Sequence, residues 1–361
     1  MAKSTIRDIS RVTGLSIFTV SRALSEADGV SEASRERIFQ AASDLGYVRN
    51  RAAQELRRAS RDSVAVITAS TSNSYYLDLM AGIQQALEPS AWTVVVGDVA
   101  VNGAYDPNLE DRMIRRLLES RTAGVISTLT LRPENTRLLA QWDIPVVFVD
   151  SSAPDGEFLF PSVTTDNFNA SLMVGQHLAD HGYEDWLFLV YPARWSTRLE
   201  RERGIREAAL IHGVSLVVLE SGNDAGSAYK TLAAHLDASP RPPRALIAGN
   251  NPLLLGSMQL LSDRRISIPS DVAVVAFDEF AWSALTNPPM TVLNEHSEEI
   301  GRRAAATLKR VIEKLTEAER SGKSASPVYL AEDRQQVPAK LIVRSSCGCS
   351  AAPNPFATEA A

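Results

Sequence analysis

Only two cysteines occur in 361 residues, Cys347 and Cys349, and they lie too close together and too near the end to staple a fold. That scarcity excludes a disulfide-built scaffold and agrees with a reducing compartment. No run approaches 18 consecutive apolar residues, so no membrane-spanning helix and no membrane partner is expected. The first residues, MAKSTIRDIS, lack the apolar core and small-residue cleavage site of an export signal, and the expectation is a cytoplasmic protein. Catalytic patterns are missing too. No nucleophilic triad is visible, no Gly-x-Gly-x-x-Gly follows the first apolar strand, and GNNPLLLG at 249–256 lacks the lysine of a phosphate-binding loop. Neither an enzyme nor a cofactor is expected, and no internal repeat of solenoid period occurs.

The composition is that of an ordinary folded protein, with 45% hydrophobic and 22% charged residues. The length suits two or three domains. The net charge of -6 conceals an asymmetry. Residues 1–60 hold ten Lys/Arg against seven Asp/Glu, whereas the remainder holds 27 against 36. A small basic head precedes a large acidic body, the electrostatic pattern of a nucleic-acid-binding module joined to a domain with another duty.

In the head, apolar residues recur at helical intervals: Ile6, Ile9 and Val12; Val20, Ala23 and Leu24; Ile38, Ala41, Ala42 and Leu45. Thr5 with Asp8 forms a capping-box pattern, Ser16 follows the Gly14-Leu15 turn as an N-cap, and Ser31 opens a third helix that Gly46 can close. Residues 5–24 therefore fit a helix-turn-helix, whose second helix is shaped for the DNA major groove. On the wheel of that helix Thr19, Val20, Ala23 and Leu24 share one face, Phe18, Ser21 and Arg22 point away, and Ile17 lies at the border. Arginine can hold guanine O6 and N7 through two parallel hydrogen bonds, and apolar side chains can meet thymine methyls. The competing interpretation is an ordinary amphipathic helix with an incidental exposed aromatic.

From Ser63 onward short β-branched runs alternate with helical stretches: 64–68, 92–98, 124–127, 145–150, 186–191, 245–249 and 272–278. Nearly continuous apolar strands of this kind belong to parallel sheets buried on both faces. The array divides near 160–165, so the expected fold is a small all-α helix-turn-helix head followed by an α/β body of two doubly wound subdomains. The segments are 1–48 for the head, 49–62 for a hinge, and 63–346 for the body, in two parts of about 63–163 and 164–346 with chain crossovers. A disordered tail is expected over 347–361.

The residues themselves resemble a known family. TIRDISRVTGLSIFTVSRAL at 5–24 and VSEASRERIFQAASDLGY at 30–47 are similar, almost position for position, to the start of the lactose/galactose repressor (LacI/GalR-type) family of bacterial transcription regulators. The likeness continues through NSYY at 73–76, TTDN at 164–167, RERG at 201–204, GNNPLLLG, VVAFDEF at 274–280 and PPMTVL at 288–293, ending near LIVRSS at 341–346. It implies a homodimer whose paired heads bind a pseudo-palindromic operator in double-stranded DNA. It also implies a periplasmic-binding-protein-like body that holds a small effector between its subdomains. Under this resemblance Ile17, Phe18 and Arg22 read bases, while Thr5, Arg7, Ser16, Thr19, Ser21, Asn50, Arg51 and Arg57 contact the DNA backbone. Leu56 is the minor-groove wedge, at a cost of a few kcal/mol of unstacking. The hinge departs from the family pattern at Arg49, Gln54 and Glu55, and packing of Leu56 on the body is the competing role.

Asp98, Asp150 and Asp278 end apolar strands, where ligands of doubly wound sheets bind, although such aspartates also cap helices. The family's ligand set adds Arg201 and Asn250, with Tyr75, Tyr76, Asp166, Phe168, Trp195 and Trp282 as possible walls. Aromatic walls with a few charged groups suit a sugar or sugar derivative, and a nucleobase second. No metal site is expected: His177 and His181 share a helix face without the Glu of His-Glu-x-x-His, and Cys347-Gly-Cys349 alone is half a site.

Overall fold

The computed structural model describes residues 4–24, 28–47, 62–68, 73–90, 92–101, 104–154, 159–239, 241–322 and 326–350. The chain divides into two compact units, Met1–Arg61 and Asp62–Ala361. Arg49, Asn50, Arg51, Gln54, Glu55, Leu56 and Arg57 lie outside the described residues.

In the first unit three helices form where the capping signals stand: α1 (Ile6–Thr13), α2 (Ile17–Leu24) and α3 (Glu32–Asp44). Asp8 accepts from the Thr5 backbone N–H and hydroxyl at 2.9 and 2.6 Å, and Ser16 Oγ accepts from the Thr19 N–H at 3.0 Å. Each such cap satisfies a donor that the first turn leaves open, worth about 1 kcal/mol. Gly14, left-handed, ends α1 and turns the chain into α2. Ile9, Val20, Ala23, Leu24, Ile38, Ala41 and Ala42 close a small core of their own.

The second unit holds two six-stranded sheets. The first runs β13 (Arg334–Val337), β7 (Ser162–Thr165), β6 (Val146–Val149), β5 (Gly124–Ser127), β1 (Ser63–Thr68), β2 (Thr93–Asp98), all parallel. The second runs β14 (Lys340–Ile342), β12 (Thr291–Asn294), β11 (Ala273–Phe277), β10 (Ala245–Ala248), β8 (Asp185–Val190), β9 (Ser215–Glu220), parallel except for β14. A small antiparallel pair, β3 (Ala100–Val101) and β4 (Ala104–Tyr105), follows β2. Each central strand is flanked by helices: α4 (Tyr75–Leu87), α5 (Pro107–Glu119) and α6 (Pro133–Gln141) in the first lobe, α7 (Asn167–Asp180), α8 (Ser196–His212), α9 (Ala225–Ala238) and α10 (Asn251–Asp263) in the second. The doubly wound body expected from the alternation is what forms.

The chain passes between the lobes three times: from β7 to α7, from β12 to α11 (Ser297–Arg320), and from β13 to β14. Helix α11 thus returns to the first lobe and packs on α4. The approach is close enough to demand glycine on both sides. A Cβ on Gly82 would meet the Glu298 carbonyl oxygen at 1.9 Å, and one on Gly301 the Leu79 carbonyl oxygen at 2.1 Å.

The expected disordered tail begins too early in the sequence reading. Cys347 is fully buried, beside Trp186 and Phe277 in the core of the second lobe, and Ser346 Oγ donates to the Val274 carbonyl at 2.7 Å. Small residues after β14 can fill the sheet edge, and packing extends into 347–350; residues 351–361 lie outside the described ones.

Candidate functional site

Between the lobes, where strands β6, β8, β10 and β11 end, Asn73, Tyr75, Tyr76, Asp150, Tyr191, Trp195, Thr197, Arg201, Asn223, Asn250 and Asp278 line a narrow cavity of about 20 Å³. That is room for about one water molecule, so a ligand of any size needs the lobes to part. Asp150 and Asp278 follow β6 and β11 with φ of 59° and 65°. Aspartate tolerates this left-handed conformation better than most residues, and strain of this kind concentrates at functional sites.

Arg201, on α8 and 3% exposed, organises the cavity floor. Its Nε donates to Asn167 Oδ1 at 2.8 Å, Nη1 to the Gly249 carbonyl at 2.6 Å and to Asp278 Oδ1 at 3.4 Å, and Nη2 to Glu295 Oε1 at 2.5 Å. The Phe277 ring lies 4.5 Å from its guanidinium carbon. One buried cation thus faces Asp150, Asp278 and Glu295. Burial opposes the Arg201 charge, but Glu295, Tyr191, Asp278 and Asp150 more than offset it and hold its pKa well above the usual value. Burial likewise pushes Glu295 well above the carboxylate range despite Arg201. Asp150 rises to about 6, chiefly by burial, with Arg201 opposing and Asp278 adding. Tyr76 donates to Asp150 Oδ2 at 2.8 Å.

The lobes are joined directly across the cavity. Asn73 Nδ2 donates to Asp278 Oδ2 at 3.0 Å, Asn251 Nδ2 to Ser74 Oγ at 2.9 Å, and the Ser152 N–H to Ser196 Oγ at 2.8 Å. In the head, Ile17 and Phe18 are 49% and 69% exposed on α2, outside the face that Val20, Ala23 and Leu24 bury. Thr5, Arg7 and Ser16 are exposed as well, and Thr19 and Ser21 are half-buried.

Residues 5–50 match the profile of bacterial regulatory proteins of the lacI family, and residues 61–333 that of periplasmic binding proteins and the sugar-binding domain of the LacI family. The chain belongs to the LacI family. Its relatives include the transcriptional regulator RegA of Clostridium saccharobutylicum, 25% identical over 317 residues that cover 86% of this chain and 93% of that protein. The transcriptional repressor CytR of Escherichia coli K12 is 24% identical over 311 residues, 84% of this chain and 89% of its own. The lac repressor dimer bound to operator and the anti-inducer ONPF has the same fold, with a TM-score of 0.77 at 21% identity, covering 96% of this chain and 99% of that one. Among the described residues no helix is long and apolar enough to cross a membrane.

This LacI-family cleft gathers seven of the eleven residues expected around an effector: Tyr75, Tyr76, Asp150, Trp195, Arg201, Asn250 and Asp278. Four are placed elsewhere. Asp98 ends the edge strand β2 and is not among the cavity's lining residues; its Oδ1 accepts from the Ala100 N–H at 2.9 Å, so it shapes a turn. Asp166 caps α7 through the Asn169 N–H at 3.2 Å and also accepts from the Asn169 side chain. Phe168 lies under the Arg203 guanidinium at 4.3 Å. Trp282 is 55% exposed and leans on Phe280. Arg22 also departs from the expected free projection. It is half-buried, lies over Phe18 at 5.6 Å and donates to the Asp28 carbonyl, since the short reach to Gly29 and the neighbouring ring lets it fold back on its own unit. Asn73, Tyr191, Thr197 and Asn223 were not anticipated in the cavity.

Proposed function

We propose that this chain is a ligand-responsive transcription regulator, a repressor that binds a pseudo-palindromic operator as a homodimer and is controlled by a small polar effector of the sugar class. The observation that carries the reading is the cavity lined by Asp150, Asp278, Asn250, Asn223 and Thr197 together with the rings of Trp195 and Tyr191. An apolar ligand would leave these groups unpaired, at about 1–3 kcal/mol for each buried one. A sugar ring pairs hydroxyls with the carboxylates and amides and lays a C–H face on the aromatic wall. A relative whose name is tied to a sugar supports the reading, the ribose operon repressor of Escherichia coli K12, 24% identical over 317 residues.

In this reading Ile17, Phe18 and Arg22 meet base edges, with Arg22 exchanging the Asp28 carbonyl for guanine. Thr5, Arg7, Ser16, Thr19, Ser21, Asn50, Arg51 and Arg57 position the head on phosphates. The effector acts through its differential affinity for two arrangements of the lobes, only one of which suits the paired hinges. The test is a calorimetric and operator-release screen of sugars, sugar phosphates and purines, with gel shifts on DNA from upstream of the coding sequence. Asp278→Ala is expected to abolish the effector response and leave operator binding by the unliganded protein intact. A hit from an apolar or lipid-like class, or a normal response in Asp278→Ala, refutes the site.

A further inference from the structure

His177 and His181 lie one turn apart at the end of α7, and Cys347 and Cys349 follow β14 far along the chain. The fold brings the four together: one ligand atom from each, all within 4.8 Å of one another. A tetrahedral zinc ion with bonds of about 2.3 Å to sulfur and 2.0–2.1 Å to nitrogen sets its ligand atoms about 3.3–3.8 Å apart, so the cluster is close to that size. His181 Nε2 already stands 3.0 Å from Cys349 Sγ, and the two imidazole centroids are 4.9 Å apart.

We propose that these four side chains form a structural metal site of the Cys2His2 type, selective for a divalent ion of borderline softness such as zinc. Two thiolates and two imidazoles are the donor set that zinc favours, and four protein ligands leave no open position, which makes the site structural.

The surroundings are those of a held ligand set. The buried Nε2 of His177 makes no hydrogen bond of ordinary geometry, although the Cys347 thiol is close enough to interact with it. Thr291 Oγ1 donates to Cys347 Sγ at 3.1 Å and itself accepts from the Arg344 N–H at 2.8 Å, a supporting contact of the kind that orients thiolate ligands. As a thiol Cys347 donates to the Arg344 carbonyl at 3.2 Å; as a ligand it gives up that bond and keeps the one from Thr291. Tyr183 stacks on His181, and its hydroxyl donates to the Cys347 carbonyl at 3.0 Å. The residue between the cysteines must be glycine. Gly348 has a φ of +97°, and a Cβ there would stand 2.6 Å from the Tyr183 hydroxyl. That left-handed turn lets both sulfurs of Cys-Gly-Cys reach the same pair of histidines.

The site ties the segment after β14 to the end of α7, both within the second lobe. It uses none of the effector cavity's residues, so it stands or falls apart from the functional reading.

The experiment uses the full chain, reduced, equilibrated with zinc and then desalted. Elemental analysis is expected to find about one zinc per chain, a single four-ligand site, and about none in Cys349→Ser or His181→Ala. Cys349 and His181 are both partly exposed, so these variants avoid emptying the core around Cys347. Cobalt in place of zinc is expected to show thiolate-to-metal charge-transfer absorption and the visible bands of a tetrahedral ion, weakened or lost in Cys349→Ser. Zinc should raise the melting temperature of the wild type and leave that of Cys349→Ser unchanged, since only a native-state site gains by mass action. Less than about a tenth of an equivalent in the reduced wild type overturns the proposal, as does equal loading of Cys349→Ser. So does a cobalt spectrum without thiolate absorption.

Discussion

Replacing Arg201 with methionine removes the one buried cation from a group of carboxylates and keeps most of the side-chain volume. The side chains of its two acidic partners, Glu295 and Asp278, are 1% and 4% exposed, so water cannot take over. Breaking a buried pair by removing one partner costs about 3–5 kcal/mol. The Asn167 side chain and the Gly249 carbonyl also lose their donor, and each buried acceptor left open costs about 1–3 kcal/mol before relaxation. A loss of about 5 kcal/mol is expected, a large share of the 5–15 kcal/mol that holds a typical domain. Glu295→Gln keeps an oxygen for Arg201 and removes a charge that burial already disfavours, so alone it should cost less than about 1.5 kcal/mol, the scale of one hydrogen bond. In the double variant, Arg201→Met with Glu295→Gln, about 1–3 kcal/mol should return, because the orphaned charge is gone. Urea unfolding followed by tryptophan fluorescence reads the body alone, since all five tryptophans lie beyond residue 90. If Arg201→Met lies within about 1 kcal/mol of wild type, or the double variant is no better than the single, the cluster is not the organising element described.

Asp150 supplies a pH test. Its folded pKa of about 6 stands above the ordinary 3.8, so the native state binds more protons between those values and stability falls as pH rises from about 4 to about 6. The drop attributable to this group is on the order of 3 kcal/mol, and Asp150→Asn should flatten the curve and be the more stable protein at pH 7.5. An unchanged pH profile in that variant refutes it. Arg22→Ala should lower specific operator affinity by about 1–3 kcal/mol and leave the salt slope of non-specific binding alone, whereas neutralising Arg7, Arg51 or Arg57 should make the slope shallower. Equal loss on operator and random DNA would sink the base-reading role. Leu56→Ala should weaken operator binding with no change in the melt of the free protein; a stability loss of about 2–5 kcal/mol would instead mean that this leucine packs on the body.

All seven apolar runs became strands because parallel strands buried on both faces must be apolar throughout, and that pattern survives in one dimension. Two of the strands outside those runs have the opposite character. Arg334–Val337 reads RQQV, and Ser215–Glu220, though apolar in the middle, is an edge strand whose residues are exposed or only half-buried. The same limit explains the site. Asp98, Asp150 and Asp278 carry identical signals, an aspartate closing an apolar strand, yet only the last two reach the cleft. The difference is strand order, which places β2 at the edge, and order is set by crossovers that no local pattern records. Tyr191 closes WLFLVY and had the positional signal, but an aromatic at a strand end reads as core. Asn73 was visible within NSYY without anything to say that it would meet Asp278 across the lobes. His181 and Cys349 are 168 residues apart, and each pair alone fell short of a coordination shell.

The lobe-to-lobe bonds also constrain how an effector can act. Asn73 spends its amide on Asp278, and Asn251 reaches Ser74. A ligand hydroxyl that takes Asp278 Oδ2 therefore replaces a protein hydrogen bond, and only the difference between the two contributes to binding. Among the described residues Asp150 makes no cross-lobe side-chain hydrogen bond; its Oδ2 is held by Tyr76 of its own lobe. A ligand that bridges Asp150 of the first lobe to Asn250 and Asp278 of the second gains new contacts only when both lobes stand at one particular separation. That geometric condition is the differential affinity which any shift between two lobe arrangements requires.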